Sequence, residues 1–153
     1  MDVIEKLRDM SFWSIEDFDN AGAHIQDHML PENNITEKIM STLEDDKKTF
    51  SFFINEKAAQ DLIHEALLNP LIQKRIQRWA CKCKAQTRIV MGYPADKLIG
   101  YSYNIQNAGD NFSITHSECY TICIVFLRNP EREDDFIFFT AYPEREMTKL
   151  TIL

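Results

Sequence analysis

The chain has 153 residues, of which 44% are hydrophobic and 27% charged, with only 4 Gly and 5 Pro, the make-up of one globular domain and not of a disordered, collagen-like or low-complexity chain. No apolar run approaches the ~20 residues that span a bilayer, and residues 1–11 lack the continuous apolar core of a secretory signal. Seventeen basic against 24 acidic residues leave a net charge of -7, which argues against tight nonspecific binding of nucleic acid by the chain as a whole.

In chain order, residues 2–10 read as a short helix, and Ser14 is a candidate N-cap for another over 15–18. The spacing predicts a helix over 20–30, which sets His24 and His28 one turn apart on one face with Pro31 beyond its end. Thr36 then caps a short helix carrying Ile39, Met40 and Leu43. Asn55 caps the next, where Ala59, Leu62, Ile63, Ala66 and Leu67 repeat at helical period. Pro70 suits the first turn of a further helix, with Ile72, Ile76, Trp79 and Cys83 as its apolar stripe and a basic face opposite. After Thr87 the pattern turns to β-branched and aromatic stretches at 88–91, 98–105, 120–127 and 135–142, with 148–152 as a final strand. The polar loop 129–134 between two apolar strands reads as an antiparallel hairpin. Helices first and strands second predict an α+β fold, N-terminal helices followed by a twisted antiparallel sheet. We read one compact domain over 19–153 with a short N-terminal extension, 1–18.

Three constellations carry potential chemistry. His24 and His28 at i and i+4 suit a metal or a general base, but the intervening Ile25, Gln26 and Asp27 lack the glutamate of H-E-x-x-H. Lys74, Arg75, Arg78, Lys82, Lys84 and Arg88 hold six of the 17 positive charges without an acidic residue among them, leaving 11 basic against 24 acidic residues elsewhere. Such a patch suits a polyanion such as RNA, an acidic partner protein, or simply solvent. In the stretch 138–143, Thr140 and Tyr142 point to one face of a strand while Phe139 and Ala141 point to the other. His64 and His116 read as structural or surface residues, His116 in a polar loop-like stretch. Cys81-x-Cys83 and Cys119-x3-Cys123 match neither zinc-ribbon nor redox spacing and read as buried or half-buried thiols in a reducing compartment.

Taken together, the segments resemble the bacterial RNase A-like toxin domain at the C-termini of contact-dependent growth inhibition effectors. The residues that carry the likeness run from the opening Ala21-Gly22-Ala23-His24 through His28, then Ser51-Phe52-Phe53 followed by Glu56-Lys57-Ala58-Ala59, and the helix ending Ile76-Gln77-Arg78-Trp79. Ile99-Gly100, the strand Ile124 to Arg128 and the closing Thr140-Ala141-Tyr142-Pro143 complete it.

The resemblance implies an RNase A-type α+β fold and a metal-independent ribonuclease that needs no cofactor. It further implies export as part of a larger cell-surface effector, action in the cytoplasm of a competitor cell, and neutralisation by a cognate immunity protein. The family's site falls by position on His28, Lys38, Thr140 and Tyr142. The family usually spaces its opening histidines one residue further apart and often has arginine where Lys38 stands. His24 therefore stays an alternative to His28, and Arg75 or Arg78 to Lys38. Cleavage of RNA without metal needs a base for the 2′-OH, a cation for the phosphoryl oxygens and a donor for the leaving 5′-oxygen. His28 fits the first role and Lys38 the second, with Thr140 and Tyr142 orienting the phosphate and the third role unfilled. Lys74, Arg75, Arg78 and Lys82 are the expected RNA contacts, and the acidic balance favours a folded RNA such as tRNA over bulk RNA. Two other classes compete: a non-catalytic binding domain that offers the basic helix 71–88 to an acidic protein, and a metal-dependent hydrolase using His24 and His28.

Overall fold

A computed structural model describes residues 2–29, 37–38, 40–41, 49–83, 85–108 and 111–145. Helices α1 (Val3–Met10) and α2 (Ile15–Asn20) open the chain, followed by a single 3-10 turn, Gln26–His28. Strand β1 (Thr49–Phe53) precedes α3 (Glu56–Leu68) and α4 (Pro70–Lys82). Then come β2 (Arg88–Pro94), β3 (Gly100–Ala108), β4 (Asn111–Cys119), β5 (Thr121–Asn129) and β6 (Arg132–Glu144). The fold is α+β and every strand pair is antiparallel, but the strands form two three-stranded sheets, β1-β3-β4 and β2-β5-β6. Contacts of β6 with β1 and β3 join them.

The expected caps form. Ser14 and Asp17 make a reciprocal capping box on α2, Asn55 accepts from Ala58 N at 2.9 Å, and Pro70 sits in the first turn of α4 behind Asn69. Ile72, Ile76 and Trp79 are buried, as are all five predicted apolar positions of α3. Arg128 on β5 donates to the carbonyls of Trp79, Ala80 and Cys83 and lies 4.6 Å from the Trp79 ring centre, so one guanidinium satisfies the end of α4 and fixes it to the sheet.

The helix expected over 20–30 does not form. Gly22 takes φ +110°, and the Ala23 and Gly22 amides return to Phe18 O and Asp19 O, which ends α2 in a Schellman motif. The Asp19 carboxylate then accepts from the amides of Ile25 and Gln26 and starts the separate 3-10 turn. Two strands not foreseen, β1 and β4, pair with β3 on either side, and His116 lies on β4 instead of in a loop.

Residues 1–18, read as an extension, contribute Val3, Leu7, Met10, Ile15 and Phe18 to the common core, and α1 packs on α3 and α4. Lys6 bridges to Asp135 at 2.5 Å and also reaches the Phe136 carbonyl. Thr36, Leu43 and the expected strand 148–152 lie outside the described residues; positions 37, 38, 40 and 41 are helical.

Candidate active site

Strand β6 builds the site through a change of parity. In strict alternation Phe136, Phe138, Thr140 and Tyr142 share one face. Val125 on β5 pairs with Thr140, whereas the next residue, Phe126, pairs with Phe138, so Phe139 is an extra residue bulged out of the ladder. Phe136, Phe138 and Ala141 consequently lie in the core while Thr140 and Tyr142 turn to the opposite face. Phe139, freed from the ladder, offers its carbonyl to His24 N at 2.9 Å and its ring to the His24 ring.

From that anchor residues 24–29 cross to the other sheet, where Met29 bridges to Phe53 in parallel. His28 is thereby set beside β1, with Nδ1 3.2 Å from the Ser51 carbonyl and its ring centre 5.5 Å from that of Tyr142. A cleft of about 450 Å³ opens here. Its described lining is His28; Thr49, Phe50 and Ser51 on β1; Ser102 and Asn104 on β3; and Thr140, Tyr142, Pro143 and Glu144 on β6 with Arg145 just beyond. Gly100 lets the walls meet, since a Cβ there would stand 2.1 Å from Phe52 O and 2.6 Å from Pro143 Cγ.

Burial and a hydrogen bond to Cys123, its cross-strand partner, push the Tyr142 phenol well above its ordinary value, so it stays neutral. Arg88, the last of the basic stretch, opposes that shift through its charge. Burial also raises the Glu144 carboxyl, against the Arg145 guanidinium. The Thr140 hydroxyl lies 3.5 Å from the His24 carbonyl.

Residues 22–143 match the model of the bacterial CdiA-CT RNAse A domain. The chain belongs to that family. No curated protein matches it significantly. Among solved structures, this CdiA-CT RNase A domain is similar in fold to a CdiA-CT/CdiI complex from Y. kristensenii 33638, with TM-score 0.58, 18% identity, and coverage of 78% of this chain and 96% of that one.

Of the residues singled out in the sequence, the cleft of the CdiA-CT domain gathers His28, Thr140 and Tyr142. His24 takes part through its backbone, while its exposed ring rests on Phe139 outside the cleft. The two histidines therefore share no helix face. Lys38 is helical and half-buried and does not line the described cleft. Lys74, Arg75, Arg78 and Lys82 sit on α4, whose Trp79 packs on Phe136 in the first half of β6, so none of them lines the cleft either. Sequence reading missed Ser51 as the histidine's partner, and Asn104, Glu144 and Arg145 as wall residues. Glu144 was within reach: it continues the alternation of Thr140 and Tyr142 by one more step.

Proposed function

We propose that this domain is a metal-independent endoribonuclease that opens RNA by attack of a ribose 2′-OH on the adjacent phosphate. The observation that carries the reading is the convergence of His28, Thr140 and Tyr142 on one cleft in a member of the CdiA-CT RNase A family. The Ser51 carbonyl can only accept, so His28 donates through Nδ1–H and keeps Nε2 as the basic nitrogen that takes the 2′-OH proton. Thr140 and neutral Tyr142 offer hydroxyls to the phosphoryl oxygens, and both can serve without ionising. Arg145 is the cation on the described wall, and Lys38 is the cation that the family pattern supplies for the charge developing on the phosphorane. Lys74, Arg75, Arg78 and Lys82, on α4 behind the β6 strand, hold a part of a longer, folded RNA such as tRNA away from the cleft.

On this reading the chain is the toxic end of a larger cell-surface effector, acts in the cytoplasm of a competitor, and meets an immunity protein at home, as the Y. kristensenii domain meets CdiI. The test is incubation of the purified domain with total bacterial RNA in EDTA, beside His28→Ala and Thr140→Ala, with the new ends mapped. We expect 2′,3′-cyclic phosphate ends that survive chelation and are lost in both variants. Ends bearing 5′-phosphate would overturn the mechanism. An intact RNA pool, with tRNA included, would favour the alternative of a binding domain acting through its basic helix.

A further inference from the structure

The reaction proposed above leaves one proton unassigned. The departing 5′-oxygen is a poor leaving group as an alkoxide, and hydroxyls such as those of Thr140 and Tyr142 hold their protons too tightly to supply it at neutral pH. The described cleft contains a single carboxyl group, that of Glu144. Glu144 lies two residues beyond Tyr142 and four beyond Thr140 on β6, after the Phe139 bulge, so the three side chains share the face that forms one cleft wall. It pairs with Thr121 at the end of the ladder and is half-buried there. His28 lines the same cleft, held by β1.

We propose that Glu144 is the general acid that protonates the leaving 5′-oxygen. This rests on the ribonuclease reading of the same cleft. An in-line displacement requires a second group besides the base in the same cleft, because the entering and leaving oxygens lie on opposite sides of phosphorus. The electrostatic setting agrees with the placement. Burial already favours the protonated carboxyl, the Arg145 guanidinium opposes it, and a bound phosphodiester anion adds to the first effect.

The step balances without a co-reactant. The 2′-O–H proton passes to His28 Nε2 and the 2′-oxygen forms a bond to phosphorus. The P–O5′ bond breaks as O5′ takes the Glu144 proton. The products are a 2′,3′-cyclic phosphate and a 5′-hydroxyl, with His28 one proton richer and Glu144 one poorer, and exchange with water restores both.

The experiment compares two substrates, an RNA oligonucleotide and a nucleoside 3′-(4-nitrophenyl phosphate), whose nitrophenolate departs without a proton. Glu144→Gln should lower kcat on RNA by about 10²-fold or more, with KM little changed, and leave the nitrophenyl ester cleaved at close to the wild-type rate. Glu144→Asp, which keeps a carboxyl, should recover part of the loss on RNA. His28→Ala should fail on both substrates. Equal losses on the two substrates in Glu144→Gln, or no loss on RNA, would overturn the assignment while leaving the ribonuclease reading intact. Wild-type protein inert toward both substrates would overturn the ribonuclease reading and the acid with it. Thermal melts of the two Glu144 variants separate a chemical loss from a folding loss, and a Gln variant that melts early is judged on the Asp variant's substrate ratio.

Discussion

His28 Nδ1 lies 3.2 Å from the Ser51 carbonyl, which keys an imidazole from a one-turn 3-10 segment to the first strand of the opposite sheet. The bond fixes the ring's orientation without burying it, since His28 is only half-buried. His28→Ala should therefore separate activity from stability. RNA cleavage should fall by about 10²- to 10⁴-fold. Losing the Ser51 hydrogen bond costs about 1 kcal/mol, about 2–4 °C in Tm for a domain of this size. End-labelled RNA assays and a thermal melt check both.

The extra residue at Phe139 makes a prediction that strand propensity alone does not. Deleting Phe139 makes Phe138–Phe126 and Thr140–Val125 consecutive pairs, so Thr140 and Tyr142 keep their face while His24 loses both the Phe139 carbonyl and its ring; the variant should keep cooperative unfolding and lose cleavage as His28 is released. Phe139→Ala keeps the parity and removes only a ring contact with His24, for about 1 kcal/mol. Near-ultraviolet circular dichroism and cleavage of the same two variants distinguish the effects.

Two glycines should respond to alanine for different reasons. Gly100→Ala drives a methyl into the Phe52 carbonyl and Pro143, backbone and ring that cannot rotate away, and should cost about 3 kcal/mol or more. Gly22→Ala meets no atom within 4 Å but must hold φ +110°, which should cost about 1–2 kcal/mol. Urea midpoints rank the two.

Alkaline pH should loosen both sheets that build the site. Burial pushes the Cys119 and Cys123 thiols from about 9 up to about 11 and raises Tyr142 in the same direction. These acids ionise more readily in the unfolded chain. Their contribution is thus complete below the unfolded value and is lost as pH rises through the folded one. Urea midpoints should fall between about pH 9 and pH 11, and the double variant Cys119→Ala/Cys123→Ala should show a flatter decline even if it starts lower.

What could be read in the sequence was what short-range chemistry decides. Ser14, Asn55 and Pro70 mark helix starts because each meets an amide, or lacks one, within three residues. The stop at Gly22 is equally local, a glycine with positive φ just past the end of α2, and it falls inside the span 20–30 that the sequence reads as helix. β4 went unseen because its polar run Ser113, Thr115, Ser117 and its exposed Ile114 and His116 show no buried face, and pairing with β3 makes it a strand. At the site, alternation put Thr140 and Tyr142 on one face. Which face it would be depended on the bulge opposite Val125 and Phe126, a property of two strands that neither reveals alone. Ser51 and Asn104, which line the cleft with His28, come from different strands of the other sheet, with no local pattern to announce them.

The cleft's walls are drawn from position 28, from 49–51, from 102–104 and from 140–145, so closing it joins parts of the chain more than a hundred residues apart. No nascent or partly unravelled stretch that lacks β6 contains it. Assembly of the cleft consequently rests on contacts of high sequence separation, the kind that form most slowly. A chain held unfolded has no cleft, and gains one only when β6 pairs with β5 and meets β1 and β3.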